Sequence, residues 1–588
     1  MAAMASDRKA VADADLVDDE DENDPVNGIP DIGEGARWYD RQYRVLAWLN
    51  RGRKRKLIPP PLRKRIADRI NALGQYNELD HYRAESRDDP HRNMFVPADE
   101  HVRVPRLWVV ELFPPAQLPA LKAAMRRNGW DESSLLAAND EPNNVVLERS
   151  RAGNLELSWW RLADVTRTGN PYSLGEAFGA APARLPDELR FATLRAVQVG
   201  PALTAVVAEF VVADEVSAQL DDVWHAPHEP ELIVQDGHLR PLRRHHSGRR
   251  STAQVRQGLH DSARRWMKTH VPGFFARHGK PHVLLEMVLF DKVDPSLTVR
   301  DYSERHARPQ LPNSWVKMGN AMAALGIRYP AVFDIRSKAL PKFLLASRRE
   351  FYTVDFLRDE PTWTLWGNRA ASFAALTSSQ QRRGSGTVEG ALAHATQRSF
   401  DYLVMLAVHE MLTVFEGRYA DIRDSAGARH GRFTQQSLKS LRADLLELSL
   451  DLGSVEQDVA GYWKKLEVHG DEWHFTQKRS TWQKAADKIL HRRTPVPNQT
   501  EDNGLRDLQR DQFTRLTGAD REYRDILSTV ASLGASADAS RLGRWALAVA
   551  LASLFVALVT VFVADVGCAS ILHVLLRQVG VETCSAGP

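Results

Sequence analysis

The sequence predicts an α+β cytosolic head made of two α+β units, followed by an all-α helical bundle and stalk and a single C-terminal transmembrane helix. Three observations carry that expectation. Residues 104–223 and 252–370 alternate between a hydrophobic period of two and one near 3.6. Residues 388–493 keep helical steps of three and four throughout. Residues 545–564 contain no charge, in a chain whose mean hydropathy is −0.39.

At about 1.5 Å per residue, a helix over 545–564 crosses a hydrocarbon core roughly 30 Å thick. A soluble core helix usually keeps one polar stripe, yet the only polar side chains here are Ser553 and Thr560. Arg541 and Arg544 precede the run and Asp565 follows it, so the short-range cation bias places the N-terminal bulk in the cytoplasm. Both cysteines, Cys568 and Cys584, lie after the run, which fits an oxidising space there; they are candidates for a disulfide, with free thiols as the alternative. Ala546, Ala550, Ser553, Ala557, Thr560 and Ala564 recur in steps of four and three, a seam of small side chains of the kind that lets membrane helices self-associate.

The expected organisation is an acidic tail at 1–34, a basic helical segment at 35–80, α+β units at 100–230 and 250–375, a bundle at 388–493, a stalk at 503–541, the span at 545–564 and an extracytoplasmic tail at 565–588. The stalk rests on a heptad of Leu516, Tyr523, Val530 and Ala537 alternating with Ala519, Ile526 and Leu533. Its phase does not match the small-residue seam, so either Gly534 and Gly543 break the helix between stalk and span or only one of the two seams is real. In the head, PRLWVVELF, HVLLEMVLF, TWTLW and parts of KFLLASRREFYTVDF are expected strands. AQLPALKAAMRR and QVRQGLHDSARRWMKTHVPGFFARHG are expected helices. VVLERSRAGNLELSWWRL and RFATLRAVQVGPALTAVVAEFVV are expected hairpins, turning at 152–154 and at Gly200-Pro201. No export signal is visible at residues 1–34, which carry eleven acidic residues against Arg8 and Lys9.

The search for chemistry removes most motifs. HEMLT (409–413) has Thr413 where a zincin helix needs its second His. GFFARHGKP (273–281) has the wrong glycine spacing and strand order for a phosphate loop, and GSG (384–386) lacks the spacing of a nucleophile elbow. With both cysteines outside the head, a catalytic thiol there is excluded by count. Nine of the 20 His fall between 225 and 282, and WHAPHEPE presents His225 and His228 as candidate metal ligands. The next run adds Arg240, Arg243, Arg244, Arg249 and Arg250 as a candidate anion site in a polar loop, one that would gain charge below about pH 6.5. A basic patch of Arg51, Arg53, Lys54, Arg55, Lys56, Arg63, Lys64 and Arg65 is a candidate for anionic lipid, its alternative being a solvated pair of helices interrupted at Pro59-Pro61. The adjacent Trp38, Tyr39, Tyr43 and Trp48 point to a local core rather than to base stacking, so nucleic acid is not expected.

The order of α+β head, long helices and C-terminal membrane segment looks like the layout of CorA-type divalent-cation transporters. That family carries Gly-Met-Asn after its first span and then crosses again, whereas Ala564-Asp565-Val566-Gly567 follows here and 568–581 is short for a second crossing. The resemblance covers only the organisation of the C-terminal third and carries no site residue across; it implies cation conduction by layout alone.

The function expected is therefore that of a membrane-anchored sensor, scaffold or effector oligomerising through stalk and span. The alternative is a membrane-associated enzyme acting on an anionic or nucleotide-like substrate through the His/Arg loop. The expected partners are a lipid bilayer, further copies of this chain and an anionic ligand or lipid; no cofactor is identified. The excess of Arg over Lys, with abundant Ala, suggests a GC-rich bacterial source and hence the plasma membrane.

Overall fold

A computed structural model describes residues 38–88, 96, 99–131, 142–153, 159–167, 184–235, 238–293, 324–325, 333–340, 342–347, 361–383, 387–428, 435–468, 474–479, 501–563 and 578–580. The chain divides into two compact units: Met1–Met411 with Gln457–Leu508, and Leu412–Glu456 with Gln509–Pro588.

The first unit opens with α1 (Trp38–Leu49), α2 (Gly52–Leu57) and α3 (Pro60–Asp88). Proline at the first helical position of α3 lacks an N–H that would go unbonded anyway, so the run Pro59-Pro61 divides α2 from α3 without a cost to either. Tyr39 is buried, stacks on Tyr76 and donates its hydroxyl to Asp80 at 2.5 Å, which pairs α1 with α3. The local core expected there is thus built on Tyr39, while Trp38 and Trp48 stay exposed.

Next come β1 (Val102–Phe113), α4 (Leu118–Arg127), α5 (Asn143–Arg151), β2 (Trp159–Thr166), β3 (Leu189–Gln198), β4 (Thr204–Val212) and α6 (Asp214–His225). They are followed by β5 (Glu231–Gln235), β6 (His238–Leu242), α7 (Arg244–His270), α8 (Phe274–Arg277), β7 (Val283–Phe290), β8 (Phe333–Ser337), β9 (Phe343–Ser347) and β10 (Thr362–Asn368). The remainder is α9 (Arg369–Ala374), α10 (Ser378–Gln381), α11 (Val388–Thr396), α12 (Phe400–Ala428), α13 (Gln435–Val468), β11 (Phe475–Arg479) and α14 (Glu501–Val563).

Nine strands form one sheet in the order β11-β8-β9-β10-β7-β1-β4-β3-β2, and β5-β6 form a separate ribbon. The two segments expected as separate α+β units therefore share a sheet, because β1 pairs antiparallel with β4 on one side and with β7 on the other. Covering both faces explains the apolar run at 107–110 within β1. Leu107, Val109 and Phe113 belong to the core that holds Ala263, Trp266 and Met267 of α7, while Trp108, on the alternate face, meets Phe400 of α12 at 6.4 Å between rings.

Four local expectations are corrected. VVLERSR is α5, not a strand: Asn143 Nδ2 bonds the carbonyls of Trp130 (2.7 Å) and Leu162 (2.9 Å), and Val146, Leu147 and Ser150 are buried, so tertiary burial overrides the valine preference for strand. The His/Arg stretch is not a loop but β6 followed by the first turns of α7. The helical run to 493 is interrupted by β11, which pairs with β8 at the sheet edge. Gly534 and Gly543 do not break the chain, since α14 is continuous for 63 residues, about 95 Å. The β3–β4 hairpin at Gly200-Pro201 is as expected: Asp458 of α13 accepts from the Ala202 and Leu203 amides at 2.7 and 2.6 Å, and a Cβ on Gly200 would lie 2.2 Å from its Cγ.

Asp502, in the first turn of α14, is buried; its Oδ2 accepts from the Phe475 amide at 2.9 Å, and its Oδ1 has no hydrogen-bond partner among the described residues. Burial, aided by Glu501 and opposed by backbone N–H bonds, pushes the carboxyl up to about 7. A folded value above the ordinary one means the stabilising contribution is complete below about pH 4 and lost as pH rises through 7. The Tm of Asp502→Asn, neutral at every pH, is expected to gain on that of the wild type as pH rises from 4 to 8, by about 2 °C or more over that interval, read by thermal melts.

In the second unit, Asp520 of α14 is buried. Its Oδ1 accepts from the Tyr419 hydroxyl at 3.0 Å and from Ser449, and its Oδ2 pairs with Arg524 Nε at 3.0 Å. Burial first, then the Asp520 carboxylate, raise the Tyr419 hydroxyl above its ordinary pKa. Leu516, expected in the stalk seam, is buried within the chain itself, whereas Ile526 is exposed. The stretch Gly543–Thr560 of α14 is long and apolar enough to cross a membrane, and none of it is buried. Ala564, Cys568 and Cys584 and the acidic tail lie outside the described residues.

Candidate functional site

The residues singled out from the sequence do not converge. Arg243, the N-cap of α7, stacks its guanidinium over the Tyr82 ring at 4.7 Å; Arg244 Nη2 bonds Glu229 at 2.5 Å and Arg250 Nη1 bonds Glu231 at 3.2 Å. Arg240 lies on β6 and Arg249 on α7, so the five cations are spread along a strand and a helix, and two of them, Arg244 and Arg250, are matched by acids. At 245 and 246 burial opposes the expected gain of charge below pH 6.5. Burial, then the neighbouring His246, Arg243 and Arg249, push the His245 imidazole down to about 3, and burial likewise lowers His246. Arg51, at the N-cap of α2, and Arg53, Lys54, Arg55 and Lys56 on α2 are all exposed, with Lys54 Nζ 3.4 Å over the Trp48 ring; Lys64 and Arg65 are exposed on α3, while Arg63 Nε bonds the Ile58 carbonyl at 2.7 Å.

The candidate metal pair is also separated. His228 is buried and its Nε2 lies 2.8 Å from the Val223 carbonyl, which closes the C-terminal end of α6. His225 turns instead towards His101 and Asp221, and one ligand atom from each of these three lies within 4.8 Å of the others.

A cavity of about 530 Å³ adjoins that triad. It is bordered by Arg103, Arg106, Arg190 and Arg369, by the carboxylates of Asp214, Asp221 and Glu389, and by His101. Backbone irregularity gathers these cations. Residues 103 and 106 of a regular strand face opposite ways, but β1 carries one extra residue between them against β7, and both line the cavity. Pro105, which has no N–H to give a ladder, occupies the bulge. Arg190 is likewise the extra residue between the Leu189 and Phe191 pairings of β3 with β4. Arg369 begins α9, and Glu389 lies in the first turn of α11, whose Thr387 cap bonds the Gly390 amide at 3.0 Å.

The charges inside are unevenly satisfied. Arg190 bonds Asp214 at 3.2 Å and Arg369 bonds Glu389 at 2.6 Å. Burial works to raise the Glu389 carboxyl, but the Arg369 bond and the Arg103 charge outweigh it and hold it below the usual range. Arg106 is different: its Nε and Nη1 are buried without a hydrogen-bond partner among the described residues, its Nε lies 3.7 Å from a Glu209 carboxylate oxygen, and Glu209 is already bonded by Arg195 at 2.8 Å. Burial lowers the Arg106 pKa, and Glu209 opposes it.

At the cavity's end, Asp221 Oδ2 lies 2.8 Å from His101 Nδ1 and its Oδ1 accepts from the Val102 amide at 2.8 Å. The hydrogen bond to Asp221 raises the His101 pKa. His225 Nε2 lies 2.9 Å from the Glu100 carbonyl. Glu100 is itself fully buried, its carboxylate held by the amides of Asp291, Lys292 and Val293 at 2.9–3.2 Å. None of His101, Arg103, Arg106, Arg190, Arg369 or Asp221 stood out in the sequence, and the one available signal was Pro105 within an otherwise regular strand. No protein-family model, curated protein or solved structure matches this chain.

Proposed function

We propose that this chain is a membrane-anchored sensor or effector whose sheet-bearing unit binds a phosphate-bearing anion in the arginine-bordered cavity. The observation that carries the reading is Arg106. A buried donor without an acceptor costs about 1–3 kcal/mol, a cost that an anionic oxygen beside it removes. Arg103, Arg190 and Arg369 supply further planar donors suited to phosphate oxygens. Four guanidinium groups against three carboxylates give the lining a formal charge of +1 with His101 neutral. The anchor is Gly543–Thr560. Arg541 just before it and Arg544 at its second residue support a cytoplasmic head, and the small-residue seam supports association of copies in the bilayer.

The test is calorimetric titration of the tag-free full chain in mild detergent, at low salt and with EDTA, using pyrophosphate and ATP as probes. Binding of either is expected, and Arg106→Ala is expected to weaken it about 10- to 100-fold, the loss of a charge-assisted hydrogen bond. Absence of binding by both probes, or equal binding by the variant, overturns the reading.

A further inference from the structure

We infer that His101, Asp221 and His225 form a three-ligand site for a divalent transition-metal cation of the zinc type, at the end of the arginine-bordered cavity. Two imidazoles and one carboxylate, with ligand atoms within 4.8 Å of one another, match the donor set of zinc sites that keep a coordination position open. The three residues reach one place by different routes. Asp221 and His225 are four apart on α6 and so share a face, and His101 immediately precedes β1.

The surroundings hold these ligands ready. The Val102 amide fixes Asp221, and the adjacent Val104 amide bonds Ser217 Oγ at 3.0 Å, so α6 is tied to the entry of β1 at two points. The Glu100 carbonyl orients the His225 ring, and that carbonyl is immobilised because three amides clamp the Glu100 side chain. Outer-sphere bonds of this kind set ring orientation and raise ligand basicity at metal sites. The side chains remain reachable, with exposures of 46% for His101, 18% for Asp221 and 26% for His225. His101 and Asp221 also line the cavity, so the cation sits beside the arginines and offers its open position to an oxygen ligand there.

The inference stands independently of anion binding, and its test contains no phosphate. Tag-free full chain is stripped with chelator, dialysed and titrated with Zn²⁺ and with Co²⁺. About one equivalent of Zn²⁺ is expected to bind, with a rise in Tm, and Co²⁺ is expected to give visible d–d absorption. His101→Ala and His225→Ala are each expected to weaken Zn²⁺ binding at least 100-fold and to abolish the Co²⁺ band, since even outer-sphere changes cost 10- to 100-fold. The His101 side chain is the most exposed of the three and lies outside the packed core, so His101→Ala is expected to keep the fold and serves as the decisive variant. His238→Ala, an exposed histidine on β6, is expected to bind as the wild type does. No Zn²⁺ or Co²⁺ binding by the wild type, or unchanged binding by both alanine variants, overturns the assignment.

Discussion

Glu286→Ala is expected to destabilise the sheet-bearing unit by about 3–5 kcal/mol, the cost of leaving a buried cation without its partner. Glu286 is fully buried on β7, paired across the sheet with Leu107 of β1 and Thr364 of β10. Its carboxylate accepts from Arg256 (Nε at 3.2 Å and Nη2), from the Thr364 hydroxyl at 2.6 Å and lies 3.0 Å from His260 Nε2. Arg256 and His260 are four apart on α7 and descend onto the sheet together. Burial alone would raise the Glu286 carboxyl, but the Arg256 charge and then His260 outweigh it, so the group is ionised well below its ordinary range. Alanine takes the carboxylate from an imidazole and a hydroxyl in a water-poor core and leaves the guanidinium its positive charge unpaired, with only the neutral Leu325 carbonyl and Thr364 hydroxyl as acceptors. Chemical denaturation of the full chain, followed by hydrogen exchange in 283–290, measures the loss. The paired change Glu286→Leu with Arg256→Met is expected to cost less than Glu286→Ala, because it removes both charges together. A single variant within about 1 kcal/mol of the wild type would show that the pair is not load-sharing with the sheet.

Phe555→Arg combined with Val556→Arg is expected to release the protein from membranes. Residues 545–564 contain four Leu, five Val and two Phe. At roughly 0.3–0.6 kcal/mol each these favour insertion by about 3–7 kcal/mol. After the double substitution the nine that remain contribute about 3–5 kcal/mol, against about 5–7 kcal/mol for two central arginines, so the sign reverses. The substituted positions are exposed, so folding of the rest does not depend on them. Flotation of cell membranes through a sucrose gradient, with carbonate-washed controls, reads the result. The wild type is expected to float and the variant to stay at the bottom. A wild type that fails to float, or a variant that floats equally, removes the membrane anchor from the proposed function.

Where the sequence was legible, one residue's neighbours along the chain decided its structure. The apolar runs around Trp108 and Leu285, the Gly200-Pro201 turn and the long helix through Trp266 all follow from periodicity and turn chemistry. Where it was not, partners far along the chain decided. The valines of α5 were outvoted by burial against β2 and by the two carbonyls that Asn143 reaches. His225 was singled out correctly but with the wrong partner, because Pro227 and Pro230 follow the end of α6 and carry His228 back to the Val223 carbonyl, while His101 arrives from 124 positions upstream. The cavity arginines, spread from 103 to 369, had no pattern to betray them.

By itself the sequence determined most of the local elements and an apolar stretch, expected at 545–564 and found at 543–560, since hydrophobic period, proline and uninterrupted length act within a few turns of the chain. Only the tertiary structure decided that β1 lies between β4 and β7 to make one sheet, that two bulges turn Arg103, Arg106 and Arg190 into one cavity, and that His101 meets Asp221 and His225. The physical reason is that strand order, bulges and side-chain convergence depend on pairing between distant segments. That pairing is set by the burial and hydrogen bonds of the whole assembled core rather than by any window of residues.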